Sequence, residues 1–445
     1  MLHSPSRRRS NGEMNKLLPD DQPAHNWYRF VLSFPPHLVR DYLARFDLLP
    51  TQWVLDPFCG TGTTLVESKK LGIASVGIEA NPIAHFAASI KVDWSPDPKG
   101  LVEHANEIAE EALERLAADG VEDDPGSLFS PGVNTDRESA CELRTLDSDR
   151  MKLLLSGSIS PRPLHKTLVL RDCIKEREDA AFSRHERLAL ARALVCSISN
   201  LHFGPEVGVG TRKPDAVVVS AWLSEVEMMA RHLRQLRQLP HVPATVLHGD
   251  ARAMVDVVQP ELVDAVITSP PYPNEKDYTR TTRLESVILD FICSKDDLRA
   301  LKRDLVRSNT RGVYKGDDDD QWIADHEGIR AIARAIEQRR IELGKTSGFE
   351  RMYHRVTKLY FGGMAKHFSQ LRSILRPGAM LAYVVGDQAS YLQVMIRTGS
   401  LLAEIAESLG YKVVGLDLFR TRLATATKEQ LREEVLVLQW PGPQK

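Results

Sequence analysis

DPFCGTGTT, from Asp56 to Thr64, and TSPPY, from Thr268 to Tyr272, decide how this chain folds. Each closes a short apolar run: Trp53 to Leu55 before the first, Leu262 to Thr268 before the second. Short apolar runs bounded by turn formers read as buried strands. In the first, Gly60 and Gly62 turn the chain sharply into a helix predicted from Thr63 to Leu71. Glycine accepts positive φ and lets a ligand approach the backbone. Gly72 ends that helix, Ile73 to Ile78 forms a second strand stopping at Glu79, and Pro82 to Ile90 returns as a helix. The result is a βαβ unit with an acid at each strand end, the spacing of a nucleotide-binding half-sheet.

The same reading extends outward. Pro35-Pro36 is an extended stop, followed by a helix from His37 to Phe46. Leu101 to Ala118, Arg184 to Leu201 and Ala221 to Leu239 carry helical periodicity, whereas residues 119–165 read as a polar loop. Val242 to Leu247 is a strand ending in His248-Gly249-Asp250. A helical excursion runs from Asn274 to about Leu359, with the four aspartates Asp317 to Asp320 expected as an exposed loop. A helix from Phe361 to Leu375 leads into the strand Ala379 to Val385. A helix from Ser400 to Leu409 follows, and Lys412 to Phe419 and Glu434 to Trp440 are the closing strands. The βα alternation predicts an α/β fold with a mainly parallel sheet and two helical insertions. The expected division is a flexible basic arm over 1–24, a cofactor half over 25–95, and a helical insertion over 96–240 suited to target recognition. A catalytic strand with its tetrad over 241–273, a helical insertion over 274–359 suited to DNA contact, and closing strands over 360–445 complete it.

Composition narrows the classes. The 445 residues are 42% hydrophobic, enough for a substantial core, and carry a formal net charge of -2. That is not the profile of a globally basic nucleic-acid binder, so any such contact must come from local basic surfaces. Cys59, Cys141, Cys173, Cys196 and Cys293 are scattered with no CxxC or Cys/His pairing. This argues against a disulfide framework and a structural metal site, and fits a reducing cytoplasm. No run reaches the roughly 20 apolar residues of a membrane helix.

The two motifs suggest distinct chemistries. No lysine follows the glycines as in a P-loop, so a nucleoside triphosphate is disfavoured. Glu79 can accept both hydroxyls of a ribose, and Asp250 can accept from an adenine amino group. Cys59 reads as a small filler, with no histidine base nearby in sequence. In TSPPY, the Ser269 side chain and the Pro270 carbonyl can each accept an N–H from an exocyclic amine. Pro270-Pro271 fixes the backbone, and Tyr272 offers a face for stacking. An already activated methyl donor would need alignment and desolvation more than a charged base.

At these residues the chain resembles the S-adenosylmethionine-dependent DNA amino-methyltransferases, in particular the N4-cytosine type. The matching segments are DPFCGTGTT, GIEANP (Gly77 to Pro82), GDA (Gly249 to Ala251), TSPPY, SFPPHLV (Ser33 to Val39), YTRTTRLE (Tyr278 to Glu285) and LRPGAMLAYVVGD (Leu375 to Asp387). The resemblance implies a doubly wound, seven-stranded, Rossmann-like sheet and a target base flipped out of double-stranded DNA. It implies that Phe34, Asp56, Phe58, Gly60, Gly62, Thr63, Thr64, Glu79, Asp250 and Ala251 hold S-adenosyl-L-methionine. Ser269, Pro270, Pro271 and Tyr272 would hold the base, and serine at the first position favours cytosine over adenine. Such an enzyme acts alone or as the protective half of a restriction pair, whose endonuclease would be its protein partner. Arg280 and Arg283, beside the tetrad, then Arg303, Arg307, Arg420 and Arg422 are the expected phosphate contacts. Adenine-N6 methylation, methylation of an RNA base, and a non-catalytic nucleic-acid binder that kept the fold are the competing readings.

Overall fold

The computed structural model describes residues 17–28, 33–124, 142–203, 207–274, 276–423 and 430–443. The first strands are β1 (Trp53–Asp56) and β2 (Ala74–Glu79), and a small hairpin pairs β3 (Leu201–Phe203) with β4 (Val207–Val209). The remaining strands are β5 (Ala244–His248), β6 (Val263–Thr268), β7 (Leu375–Gly386), β8 (Lys412–Leu423) and β9 (Gln430–Gln439). Seven of them form one sheet in the order β5-β2-β1-β6-β7-β9-β8. β5, β2, β1, β6 and β7 are parallel neighbours, while β9 pairs antiparallel with both β7 and β8. This is the doubly wound, Rossmann-like sheet expected, closed by an antiparallel strand.

Both faces of the sheet are covered, so neighbouring strand residues enter different cores. Val54, Ile267, Ala382 and Val384 pack with Leu38, Val39 and Tyr42 of the helix Pro36–Arg45. Leu55, Val266, Leu381 and Tyr383 pack with Phe361, Met364 and Phe368 of the helix Tyr353–Leu371. Each such apolar side chain contributes roughly 1.5–3 kcal/mol. The helices Pro98–Ala118, Pro161–Glu176, Ser183–Ala193 and Val219–Leu236 form a third core, continuous with Leu65, Ile83 and Phe86 of the βαβ unit.

Three sequence expectations need correction. The polar stretch 119–165 contains the start of the helix Pro161–Glu176, whose proline sits at the first turn where its missing N–H costs nothing. The arm expected over 1–24 is folded from its later part onward: Asp21 is buried and accepts from Arg40 at 2.8 Å. His25, just past that boundary, meets Glu67 at 2.7 Å. Residues 1–16, with Arg7 to Arg9, and Cys141 lie outside the described residues. The third correction concerns Asp317 to Asp320. This run is not an exposed loop but docks beneath the helix Tyr353–Leu371, partly as the 3-10 turn Asp319–Ile323. Asp317 takes a bidentate pair from Arg307 at 2.9 and 2.8 Å, and Asp319 accepts from Arg252 at 2.5 Å. The cations that make burial tolerable come from other elements, one of them 67 residues away in the chain. Neither the β3–β4 hairpin nor these pairs was foreseen.

No helix among the described residues is long and apolar enough to cross a membrane. The docking of the acidic run leaves no room at Gly362, where a Cβ would stand 2.0 Å from the Asp319 carbonyl oxygen and 2.5 Å from its carbon. Backbone cannot yield as a flexible side chain can. Gly362→Ala is therefore expected to destabilise the fold by roughly 1–3 kcal/mol or more, read as a lowered urea midpoint at constant m. An unaltered midpoint would mean that the run packs elsewhere.

Candidate active site

Parallel strands align their carboxyl ends on one edge of the sheet. The chain leaves β1 toward β2 on one side and returns as β6 on the other, so a crevice opens between their loops. Val54 and Leu55 pair with Ala265 and Val266, which brings Asp56 beside Thr268 although 212 residues separate them. The Thr268 hydroxyl donates to Asp56 Oδ1 at 2.6 Å, the Phe58 N–H to the same oxygen at 3.1 Å, and the Thr64 hydroxyl to the Ile267 carbonyl at 3.0 Å. Burial pushes the Asp56 carboxyl up to about 6, while these hydroxyl and amide donors hold it down.

The crevice is a cavity of about 610 Å³, within the roughly 300–1,000 Å³ usual for small-molecule and cofactor sites. It brings together Phe34, Phe58, Gly60, Thr63, Glu79, Asp250 and Ala251 with Ser269, Pro270, Pro271 and Tyr272. Asp56, Gly62 and Thr64 do not line it. Asp56 and Thr64 are fully buried ties between β1 and β6. Gly62 caps the helix Thr63–Lys70 at φ 82°, with Ala88 against the space where a Cβ would go.

Glu79 lines the cavity with both carboxylate oxygens engaged. Its Oε2 accepts from the Gly60 N–H and its Oε1 from the Asn81 N–H, both at 2.8 Å. Each oxygen keeps a lone pair for a further donor, as a vicinal diol requires. Asn81 Oδ1 and Thr61 Oγ1, on residues that line the same cavity, are buried without a protein partner. A polar ligand would satisfy them, and this donor and acceptor set fits a ribose-bearing cofactor.

Asp250 lies on the same wall, gripped by Arg252, whose Nε donates to both carboxylate oxygens at 3.0 Å and whose Nη2 donates at 2.7 Å. Sequence reading missed Arg252, and it missed His367. The Ala251 carbonyl can only accept, so His367 Nδ1 carries the proton in their 2.9 Å bond. Nε2 then accepts from the Tyr383 hydroxyl at 2.6 Å. Burial, which lowers its pKa to about 4, keeps this imidazole neutral. Its ring also lies 4.9 Å from that of Phe58. A histidine in an apolar helical stripe with no local partner was the only trace of this role in the sequence.

The tetrad lines the same cavity. The Ser269 hydroxyl donates to the Val384 carbonyl at 3.1 Å, which leaves its oxygen as an acceptor. Tyr272 packs on Gly386, where a Cβ would stand 3.0 Å from the ring. Its carbonyl accepts from Asn274 N at 2.8 Å. Burial raises the Tyr272 phenol well above its ordinary range, with the Glu433 charge adding to the effect. Lys276, Lys302 and Asn309 line the cavity too, and none was singled out in the sequence; Lys302 donates to Asp277 at 2.9 Å.

The arginines divide. Arg420 and Arg422 line the rim and share Glu433. Arg307 lines the cavity as well, but its guanidinium is buried and committed to Asp317 and to the carbonyls of Lys302, Arg303 and Leu305. It is a structural strut and not a free phosphate contact. Arg283 is committed to Thr279 and the Leu153 carbonyl. Arg280, Arg283 and Arg303 lie outside the cavity lining, and Arg303 is exposed beside the Tyr314 ring. Among the described residues no group of three or more His, Cys, Asp or Glu could hold a metal ion.

The chain is similar to several known proteins. The N6/N4 family model described as DNA methylase matches residues 5–88. Type II methyltransferase M.BsoBI of Geobacillus stearothermophilus is 23% identical over 437 residues, covering 92% of this chain and 82% of its own. Type II methyltransferase M.AvaI of Anabaena variabilis is 21% identical over 415 residues, covering 88% and 80%. Among solved structures, the rRNA methyltransferase aviRa of Streptomyces viridochromogenes aligns with 93% of this chain and 87% of its own at 10% identity and a TM-score of 0.31.

Glu79 makes the site sensitive to pH. Burial pushes its carboxyl up to about 7, against the pull of the Asn81 and Gly60 amides, and the Asp56 charge adds to the rise. A raised carboxyl favours the folded state while protonated, and that contribution is lost as pH climbs from the unfolded value through about 7. Ligand hydroxyls prefer the ionised form, so binding releases a proton below that pKa. Affinity for S-adenosylmethionine should therefore rise between about pH 6 and pH 8 and then level off. Calorimetric titration across this range checks it, and Glu79→Gln should bind more weakly and without the pH step.

Proposed function

We propose that this chain, which belongs to the DNA amino-methyltransferase family and uses S-adenosyl-L-methionine as methyl donor, methylates the exocyclic N4 of cytosine in double-stranded DNA. The observation that carries the reading is the Ser269 hydroxyl. It stands at the end of β6, in the same cavity as Glu79 and Asp250, with its proton engaged by the Val384 carbonyl.

The amine of cytosine or adenine is a poor nucleophile, because its lone pair is delocalised into the ring. Ser269 Oγ accepts one N–H, and the Pro270 carbonyl accepts the other. Together they favour a more tetrahedral nitrogen whose lone pair faces the methyl. Pro270-Pro271 holds the two acceptors at a fixed separation, and the Tyr272 ring, braced on Gly386, stacks on the base. When bound, the cofactor would supply an electrophilic methyl on its sulfonium, so that the carbon–nitrogen bond would form as the carbon–sulfur bond breaks. Ser269 and Pro270 would hold the amine while its proton passes to solvent. The tetrad holds no charged base, which suits this order of events.

The charge layout supports the same reading. Glu79 and Asp250 line the cavity and are complementary to a cationic donor, while Arg420, Arg422 and Lys276 line it as well and are complementary to a polyanion. A base must leave its stack to reach Ser269, so extrusion from the duplex is part of the proposal. So is a role as the protective partner of a restriction endonuclease, which rests on the Type II relatives.

Incubation with methyl-labelled S-adenosylmethionine and with duplex DNA or RNA, followed by nucleoside digestion, tests the assignment. The expected product is N4-methylcytosine from DNA. N6-methyladenine would transfer the site to adenine, and an RNA product would replace the substrate. No labelled product despite cofactor binding would leave only the non-catalytic binder. Ser269→Ala should lower turnover by about a hundredfold or more with cofactor affinity unchanged. Lost cofactor affinity would instead place Ser269 in the cofactor half.

A further inference from the structure

Asp319, in the four-aspartate run, belongs to the second helical excursion, yet it meets Arg252, 67 residues away in the chain, and through it Asp250. Arg252 is 7% exposed, and nearly every N–H of its side chain is engaged. Nε and Nη2 hold both oxygens of Asp250, Nη2 also donates to the Arg303 carbonyl at 2.8 Å, and Nη1 donates to Asp319 Oδ2 at 2.5 Å. Asp319 is itself buried, with Lys366 Nζ 3.7 Å from its other oxygen. Its backbone is pressed onto Gly362, and its carboxylate lies 3.4 Å from where a Gly363 Cβ would stand. The neighbouring aspartates differ: Asp318 is exposed and meets only Gln321, and Asp320 is half-buried near Lys358.

We propose that Asp319 is a positioning residue for the cofactor: it fixes the Arg252 guanidinium, which fixes the Asp250 carboxylate against the ligand. Without Asp319 only the Arg303 carbonyl would hold the guanidinium besides Asp250, so the fork could turn about its long side chain and Asp250 would follow it. With Asp319 in place the fork has one orientation, and Asp250 is presented to the cavity without the entropy cost of being ordered when the ligand binds. The paired glycines Gly362-Gly363 let the run approach closely enough to make the bond. The inference rests on the assignment of this cavity to S-adenosylmethionine, and it is independent of which base is methylated.

The test is binding of S-adenosylmethionine and S-adenosylhomocysteine to the full chain by calorimetry, alongside turnover at saturating cofactor. Asp319→Asn, close in shape but uncharged, should raise both dissociation constants on the order of tenfold, with kcat kept within about twofold. In an Asp250→Asn background the same substitution should cost less than about twofold, because the group it acts through is already altered. Arg252→Lys, which keeps the charge and loses the fork, should raise the dissociation constants as Asp319→Asn does, and it serves the same purpose if that variant does not fold. Asp318→Asn is the exposed control and should bind as the unaltered chain. Full additivity with Asp250→Asn, or unchanged affinity in both Asp319→Asn and Arg252→Lys, would overturn the proposal. If the unaltered chain itself fails to bind S-adenosylmethionine, the cavity assignment falls instead.

Discussion

A buried hydrogen bond between the Thr268 hydroxyl and Asp56 joins the ends of two adjacent parallel strands, and the site is arranged around it. β1 ends in the glycine turn and β6 ends in the tetrad. Their register places these loops side by side, and the Thr64 hydroxyl on the Ile267 carbonyl adds a second tie. Asp56 is inaccessible to a ligand. It is the acceptor that ties the glycine turn after β1 to the tetrad after β6. The methyl transfer proposed above needs these two loops close together, because the reacting atoms must lie near contact distance and in line.

The same edge of the sheet carries charge of both signs. Desolvation raises the carboxyls of Asp56 and Glu79, which end β1 and β2. Lys302, from the excursion after the tetrad, and Arg420 and Arg422, from β8, line the cavity with the acids that temper them, Asp277 and Glu433.

Around this site lie residues outside the cavity lining that are hydrogen-bonded to residues within it. His367 holds the Ala251 carbonyl and packs against Phe58, and Arg252 grips Asp250. Both arrangements are anchored on the helix Tyr353–Leu371, through His367 itself and through the glycine pair that receives Asp319. Arg307, paired with Asp317, shares the Arg303 carbonyl with Arg252. The second helical excursion is thereby tied to Asp250 through Arg252. Hydrogen-bonded charges of this kind are costly to bury unless they are satisfied, which is why Asp250, Arg252, Asp319, Arg307 and Asp317 lie in one cluster.

The sequence by itself determined the elements and the residues that carry chemistry at short range. Apolar runs marked β1, β2 and β6, glycines marked the turn after Asp56, and Glu79, Asp250 and Ser269 could be picked out because each sits at the end of such a run. These signals are local: strand period, turn chemistry and the fixed φ of proline act over a few residues. What only the tertiary structure decided was which side chains face the cavity and which are already spent. Asp56 and Thr64 turned inward as ties, Arg307 and Arg283 were consumed by internal acceptors, and the aspartate run became buried where a charged stretch alone suggested solvent. Burial of a charge depends on a partner, and here the partners lie on other elements, brought close by the parallel register and the covering helices. No pattern confined to neighbouring residues encodes that proximity.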